Sequence, residues 1–295
     1  MSDLMRIGEL AARTGLSIDR IRAWERRYGI VAPARSPGGF RLYTDDDLRA
    51  LLAMRDLVAA GVPAAEAARR VRSGGAGDGA DRGGLLAEFR ARLRSALDAW
   101  NESEAQVVID EALATFDLET LVERLFVPYL QELGERWASG EVTVAHEHFA
   151  SSVVRGRLMA VARGWDRGFG PRLVLACVPG ELHDLPLVMF GLLARRRGWR
   201  ITFLGADTPL PTAAAARAAV APAGLVLAAS TEERFLAIAD ELGEVASGGP
   251  LALGGRGASQ LVAETVGTPV LPQSLAEAAD ELRAIFDALL PARAQ

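Results

Sequence analysis

The spacing of apolar positions changes near residue 72 and again near residue 170, and each pattern predicts a different architecture. From 171 onward, short apolar runs alternate with helical stretches. The run 172–178 reads as a strand buried on both faces. Residues 185–197 follow as a helix stopped by Gly198, then 199–204 as a strand and 205–209 as a loop. A helix over 212–220, a strand over 224–230, a helix over 232–247 and a strand over 250–253 continue the alternation. A glycine turn at 254–257, a short fifth strand at 270–271 and a closing helix over 274–290 complete it. Regular β-α alternation predicts a parallel, doubly wound sheet. Ligands on such sheets sit at the carboxyl ends of the strands, here the loops 178–186, 205–209, 230–232 and 254–257. Residues 85–165 keep a helical period with almost no Gly or Pro. Between this zone and the first lies 73–84, with six glycines in twelve residues, which reads as a flexible tether.

The first zone carries shorter signals. Thr14-Gly15 stops one helix and Ser17 caps the next, which runs from Ile18 to Tyr28. That second helix bears Arg20, Arg22, Arg26 and Arg27, and it holds Trp24, which reads as a core residue. A glycine-tipped hairpin or wing over 33–43 contributes Arg35, Arg41 and Tyr43. Thr44 with Asp45, Asp46 and Asp47 caps a third helix. Val62-Pro63 marks a break before a last helix through Val71. A second helix rich in Arg, behind a tight turn, suits insertion into the DNA major groove.

Composition sharpens this picture. Residues 1–72 hold 13 Arg against 9 acids, and the remaining chain 20 Arg against 29 acids, so a basic head precedes an acidic body. That asymmetry points to nucleic acid at one end. All basic residues are Arg, which excludes Schiff-base lysine chemistry and a P-loop lysine. Cys177 is the one cysteine and His146, His148 and His183 the only histidines, so a disulfide framework or multi-cysteine metal cage is excluded. The chain has no apolar run of bilayer length and no signal-like start, which predicts a soluble, cytoplasmic protein with no membrane partner.

The strings RIGELAARTGLS, IRAWERRYGI and GGFRLYTDDDL resemble the MerR family of transcriptional regulators across nearly all of residues 5–72. The resemblance implies a winged helix-turn-helix that reads a pseudo-palindromic operator as a multimer. Its candidate DNA contacts are Ser17, Arg20, Arg22, Arg26, Arg27 and Tyr28 on the second helix, with Arg35, Arg41 and Tyr43 on the wing. Many relatives carry a coiled-coil helix after this head, whereas here a glycine-rich segment follows, so assembly must arise in the body.

Two constellations stand out in the body. Trp137 is followed, nine residues later, by Glu147-His148, with Thr143 as cap of that helix. By itself Trp137 reads as a core residue and His148 as an ordinary histidine. Glu181-Leu-His183-Asp184 follows the first strand of the sheet. A neutral imidazole there can bind a borderline metal such as cobalt, with Glu181 or Asp184 fixing its tautomer.

Together these residues resemble cobalamin-binding modules over 85–290. Joined to the head, the chain resembles the CarH/LitR group of cobalamin-dependent, light-responsive MerR regulators. The resemblance implies a winged helix-turn-helix (1–72), a Gly-rich linker (73–84), a four-helix-bundle cap (85–168) and a Rossmann-like cobalamin-binding domain (169–295). It implies that adenosylcobalamin drives a dark tetramer, a dimer of dimers, onto operator DNA. Light then cleaves the cobalt–carbon bond, the tetramer separates and the promoter is released. It makes His183 the lower cobalt ligand and sets Trp137 and Glu147 toward the adenosyl group, with His148 beside them. Glu181 and Asp184 flank the ligand. Ser230, Thr231, Gly254 and Gly255 border the base tail, and Gly205, Asp207 and Thr208 form a neighbouring loop.

The chain departs from the group twice. The usual Asp-x-His-x-x-Gly is here Glu181-x-His183-x-x-Pro186, with proline tolerable in a first helical turn. Ala138 replaces a histidine that caps cobalt after photolysis in some relatives, leaving His146, His148 or water for that place. Two alternatives stand beside the regulator reading: a corrinoid methyl carrier or methyltransferase protein, and a MerR regulator that senses another ligand or chromophore. The DNA-reading head favours the regulator, which is not an enzyme.

Overall fold

The structure, a computed structural model, describes residues 4–31, 33–35, 40–59, 62–74 and 79–289. It divides into two compact units, Met1–Ala87 and Glu88–Gln295.

The first unit runs β1 (Met5–Arg6), α1 (Ile7–Thr14), α2 (Ile18–Tyr28), β2 (Ala34–Arg35), β3 (Arg41–Tyr43), α3 (Asp45–Ala59) and α4 (Ala64–Gly74). Gly15 takes the left-handed conformation (φ 68°) that lets the chain leave α1, and its N–H closes on the Ala11 carbonyl at 3.0 Å. The Ser17 hydroxyl accepts from the Arg20 N–H at 3.2 Å, which starts α2 at the expected residue. Thr44 and Asp47 cap α3 reciprocally. The Asp47 N–H donates to the Thr44 hydroxyl (3.2 Å) and the Thr44 N–H to the Asp47 carboxylate (2.9 Å). β1, β3 and β2 form a three-stranded antiparallel sheet in that order. Leu10, Ile21, Trp24, Leu51 and Met54 fill the core, so Trp24 packs as its apolar surroundings predict. The wing tip at 36–39 lies outside the described residues.

Of the glycine-rich segment, 75–78 lie outside the described residues, while α5 (Gly79–Asp98) already includes 79–84. Glycine weakens a helix by about 1 kcal/mol per residue without forbidding it. The apolar period beginning at Leu85 carries the helix backward through these positions. α6 (Glu102–Thr115), α7 (Leu118–Leu121), a π-helical turn (Val122–Phe126), α8 (Val127–Ala138) and α9 (Val144–Val161) complete a helical bundle. Its core includes Leu93, Leu97, Ile109, Phe126 and Leu158. The π turn was not anticipated. Pro128 supplies its reason: the ring has no N–H for the ordinary helical bond, and the Val127 N–H reaches back five residues to Val122.

The sheet follows, with β4 (Arg172–Cys177), β5 (Arg200–Gly205), β6 (Gly224–Ala228) and β7 (Leu251–Gly254), all parallel in the order β5-β4-β6-β7. Val270 adds a single parallel bridge to Leu253, so the fifth strand shrinks to one residue pair. α10 (Leu185–Arg196), α11 (Leu210–Val220), α12 (Glu232–Leu236), α13 (Ala239–Ser247), α14 (Gln260–Val266) and α15 (Leu275–Leu289) cover the two faces. The single helix expected over 232–247 is interrupted at Ile238, which leaves helical geometry (φ −127°, ψ 25°). The bundle packs on this layer through α9 against α10. Among the described residues no helix is long and apolar enough to cross a membrane.

Candidate functional site

The carboxyl ends of β4, β5, β6 and β7 face one edge of the sheet, and Glu181 is its organising residue. Glu181 is buried, and its carboxylate accepts from the Ser230 N–H at 2.7 Å, the Ser230 hydroxyl and the His183 N–H at 2.8 Å. It also meets His183 Nδ1 at 2.6 Å and lies 3.4 Å from Arg234. Burial alone would raise the Glu181 pKa, but the hydrogen bonds from Ser230 and His183 outweigh it and hold the carboxyl at about 2. An ionised acceptor at Nδ1 places the neutral ring's proton there and leaves the Nε2 lone pair on the opposite side. The His183 side chain is 68% exposed, so that lone pair is accessible.

The two carboxylates open to this role in the sequence therefore separate. Glu181 orients His183, while Asp184 receives a fork of hydrogen bonds from Arg155 of α9: Nε to Oδ1 at 2.9 Å and Nη2 to Oδ2 at 2.6 Å. Gly205, Asp207 and Thr208 brace the same loop. The Gly180 N–H donates to Asp207 Oδ1 (2.7 Å) and the Asp207 N–H to the Glu181 carbonyl (2.8 Å). The Thr208 hydroxyl donates to the Gly205 carbonyl (3.2 Å). Thr231 is exposed at the start of α12. Gly254 ends β7, and Gly255 (φ +87°) lies so close to β6 that a Cβ there would stand 2.4 Å from the Ala229 carbonyl oxygen. Gly257 repeats this approach, 2.2 Å from the Thr231 carbonyl, and the sequence reading did not single it out for that.

On the bundle, Trp137 closes α8 and is 50% exposed, against its reading as a core residue. Glu147 and the exposed His148 open α9, their side chains 3.7 Å apart, and the Thr143 hydroxyl caps the helix from the His146 N–H (3.3 Å). His146 points elsewhere: it is buried, 3.2 Å from Asp98, with its ring against Trp100.

These groups fit a corrinoid. An imidazole nitrogen with a fixed partner offers cobalt a ligand. Gly255 and Gly257 let the loops after β6 and β7 pack backbone against backbone at the same edge, and Trp137 provides an uncovered aromatic surface. Among the described residues no cluster of three His, Cys, Asp or Glu forms a metal cage.

In the head, Arg20, Arg22, Arg26 and Arg27 are exposed along α2, and Tyr28 is half-buried. Arg35 lies on β2, with its side chain outside the described ones. The other two wing residues turn inward. Arg41 Nε donates to Glu25 at 3.0 Å, and the Tyr43 hydroxyl, fully buried, donates to the same carboxylate at 3.3 Å. A phosphate contact by Tyr43 would require it to leave Glu25. Burial and the Glu25 carboxylate push the Tyr43 phenol up to about 12. Glu25 thus joins α2 to the wing, a role its place among arginines concealed. Glu25→Gln is expected to lower the Tyr43 phenol, with burial still holding it above its ordinary value, which ultraviolet titration reads, and to destabilise the head by ~1 kcal/mol.

Residues 5–73 match the MerR HTH family regulatory protein, and residues 90–161 match the B12 binding domain. The chain is similar to the HTH-type transcriptional repressor CarH of Myxococcus xanthus, with 35% identity over 213 residues that span 69% of this chain and 71% of the relative. It is similar to the repressor CarA of the same organism, with 31% identity over 289 residues and 96% of each chain covered. Its fold is similar to that of the Methanosarcina barkeri monomethylamine corrinoid protein, with a TM-score of 0.56 at 17% identity over 67% of this chain and 98% of that one. Head and bundle together define a MerR-type regulator with a B12 binding domain. The chain belongs to the family of HTH-type transcriptional repressors that includes CarH and CarA.

Proposed function

We propose that the chain is a cobalamin-dependent, light-sensing transcriptional repressor. It takes up adenosylcobalamin between the bundle and the carboxyl edge of the sheet, assembles in the dark as a dimer of dimers on operator DNA, and releases the DNA on illumination. In this reading 1–72 bind DNA, 73–84 link, 85–168 cap the cofactor and 169–295 hold it. No residue is assigned a catalytic role.

The observation that carries the reading is His183, with Nδ1 on a buried carboxylate and Nε2 accessible at a strand end. His183 would hold the cobalt, and Glu181 keeps the tautomer that makes Nε2 the donor atom. The bound cofactor would supply a light-labile cobalt–carbon bond. In this reading Trp137 and Glu147 would face the upper group, and Ser230, Thr231, Gly254 and Gly255 would border the tail. Assembly follows by mass action if the cofactor binds the assembled state more tightly than the monomer.

Size exclusion with light scattering, run apo, loaded with adenosylcobalamin in the dark and then illuminated, tests this. A monomer, a fourfold larger species and a return to lower mass are expected, together with a visible spectrum that changes on illumination. One mass in all three states refutes the switch. A loaded protein inert to light refutes the photoreceptor.

DNA reading rests on the exposed arginines of α2. Arg22→Ala and Arg26→Ala are expected to weaken operator binding without altering cofactor uptake. Each lost phosphate contact lowers the salt slope by roughly 1, and each lost base contact costs ~1–3 kcal/mol. Fluorescence anisotropy on labelled operator DNA over a salt series checks it.

A further inference from the structure

Glu181 fixes the His183 ring from one side. The residue after the ligand, Asp184, fixes the loop from the other, and its carboxylate is put to an uncommon use. Asp184 occupies the N-cap of α10, where an aspartate ordinarily accepts from the N–H groups of the first turn, yet it makes no such bond. Its backbone is helical (φ −82°, ψ −11°) rather than the extended one of a capping residue. The freed carboxylate is buried and accepts all of its side-chain hydrogen bonds on the described residues from the guanidinium of Arg155, on α9 of the bundle.

The bundle also grips the sheet layer elsewhere. Glu123 accepts from the Ala276 N–H at the start of α15, and Arg197 of the sheet layer reaches Glu119 beside Asp280. Among the described residues neither contact involves the loop that carries His183. Arg155 is, among the described residues, the one that ties the bundle to that loop by a charged pair, with the fork geometry that carboxylates favour.

We propose that Arg155 is a positioning residue for the cobalt ligand. Its fork on Asp184 holds the 181–184 loop from the bundle side, so that the His183 imidazole is aimed before a corrinoid arrives. The helical backbone of Asp184 leaves its carboxylate off the first turn of α10, and Arg155 takes it up. The inference rests on the cobalamin reading above.

The test uses the full chain with hydroxocobalamin reduced to cobalt(II), a probe that needs no light response. Protein histidine is labelled with heavy nitrogen, which splits the paramagnetic resonance signal into doublets where the cofactor's own base gives triplets. Wild-type protein is expected to show doublets. In Arg155→Ala about half or more of the signal is expected to revert to triplets, with cofactor release roughly 10-fold faster, the scale of losing an outer-shell partner of a metal ligand. Arg155→Lys, which keeps the charge without the fork, is expected to fall between. Arg157→Ala provides the control, since Arg157 shares α9 with Arg155 but pairs with Asp110 of α6 and not with the loop.

Unchanged doublets and release in Arg155→Ala, with a melting temperature near wild type, would overturn the assignment. An equal loss in Arg157→Ala would overturn it as well, by assigning the effect to α9 in general. Failure of the wild-type protein to take up any corrinoid would instead overturn the cobalamin reading itself.

Discussion

His183→Ala is expected to leave a folded protein that no longer presents a nitrogen ligand to cobalt. The imidazole is largely exposed, so its removal opens no cavity, and the loss of its bond to the buried Glu181 carboxylate should lower apo stability by only about 1–2 kcal/mol. Its one side-chain bond is to Glu181, which keeps its hydrogen bonds from Ser230. Cofactor binding is a different matter. Loss of an outer-shell partner already costs about 10–100-fold in metal affinity, and loss of the ligand itself should cost at least that much. Equilibrium titration with adenosylcobalamin in the dark gives the affinity, and paramagnetic resonance of the cobalt(II) form gives the ligand. Protein-nitrogen splitting that survives in the variant would move the ligand to another residue. The light-driven change of mass should disappear with it, because the signal would no longer be anchored to the sheet.

The second large effect lies at Glu181. Its carboxyl is held at about 2 against an ordinary 4.5, with burial opposed and outweighed by the bonds from Ser230 and His183. A folded-state pKa below the unfolded one stabilises the fold fully above about pH 4.5, and that contribution is lost as pH falls through about 2. A gap of that size corresponds to ~3 kcal/mol. Glu181→Gln replaces one accepting oxygen by an NH₂ group that must face the donors of Ser230 or His183, so an amide is no substitute. Urea unfolding should show the variant ~2–3 kcal/mol weaker at pH 7, a deficit that shrinks between pH 5 and pH 2. A deficit independent of pH would mean that shape, not charge, is what Glu181 contributes.

The alternation of strands and helices in the last third was legible because each buried strand is a continuous apolar run, and Gly198 punctuates it. The head was legible through local rules: Gly15 can leave a helix with positive φ, and Ser17 can start one. His183 was legible as a strand-end imidazole, whereas the choice between Glu181 and Asp184 was not. Both are carboxylates within two residues, and only the loop's path decides which one reaches Nδ1. Arg155, Arg234 and Glu25 were invisible for a related reason. Their partners lie far away in sequence, and among so many arginines no local pattern marks the one whose fork closes on a buried acid. Trp137 and Tyr43 moved in opposite directions, the tryptophan to the surface and the tyrosine to the interior. Each is amphipathic enough to suit either place, so the packing of neighbouring elements determined the outcome.

The π turn at Val122–Phe126 makes chain length at this point a matter of phase. A helix advances about 100° per residue, and a π turn holds one residue more than the α-helical turn it replaces. Deleting a single residue within the turn would let it close as an ordinary α-helical turn and leave the side chains on either side in phase. The regular helix of α8 has no surplus residue to give up, so a deletion there would rotate Trp137 by about 100° relative to the residues before the cut. Length variants should therefore be tolerated better at Val122–Phe126 than within α8.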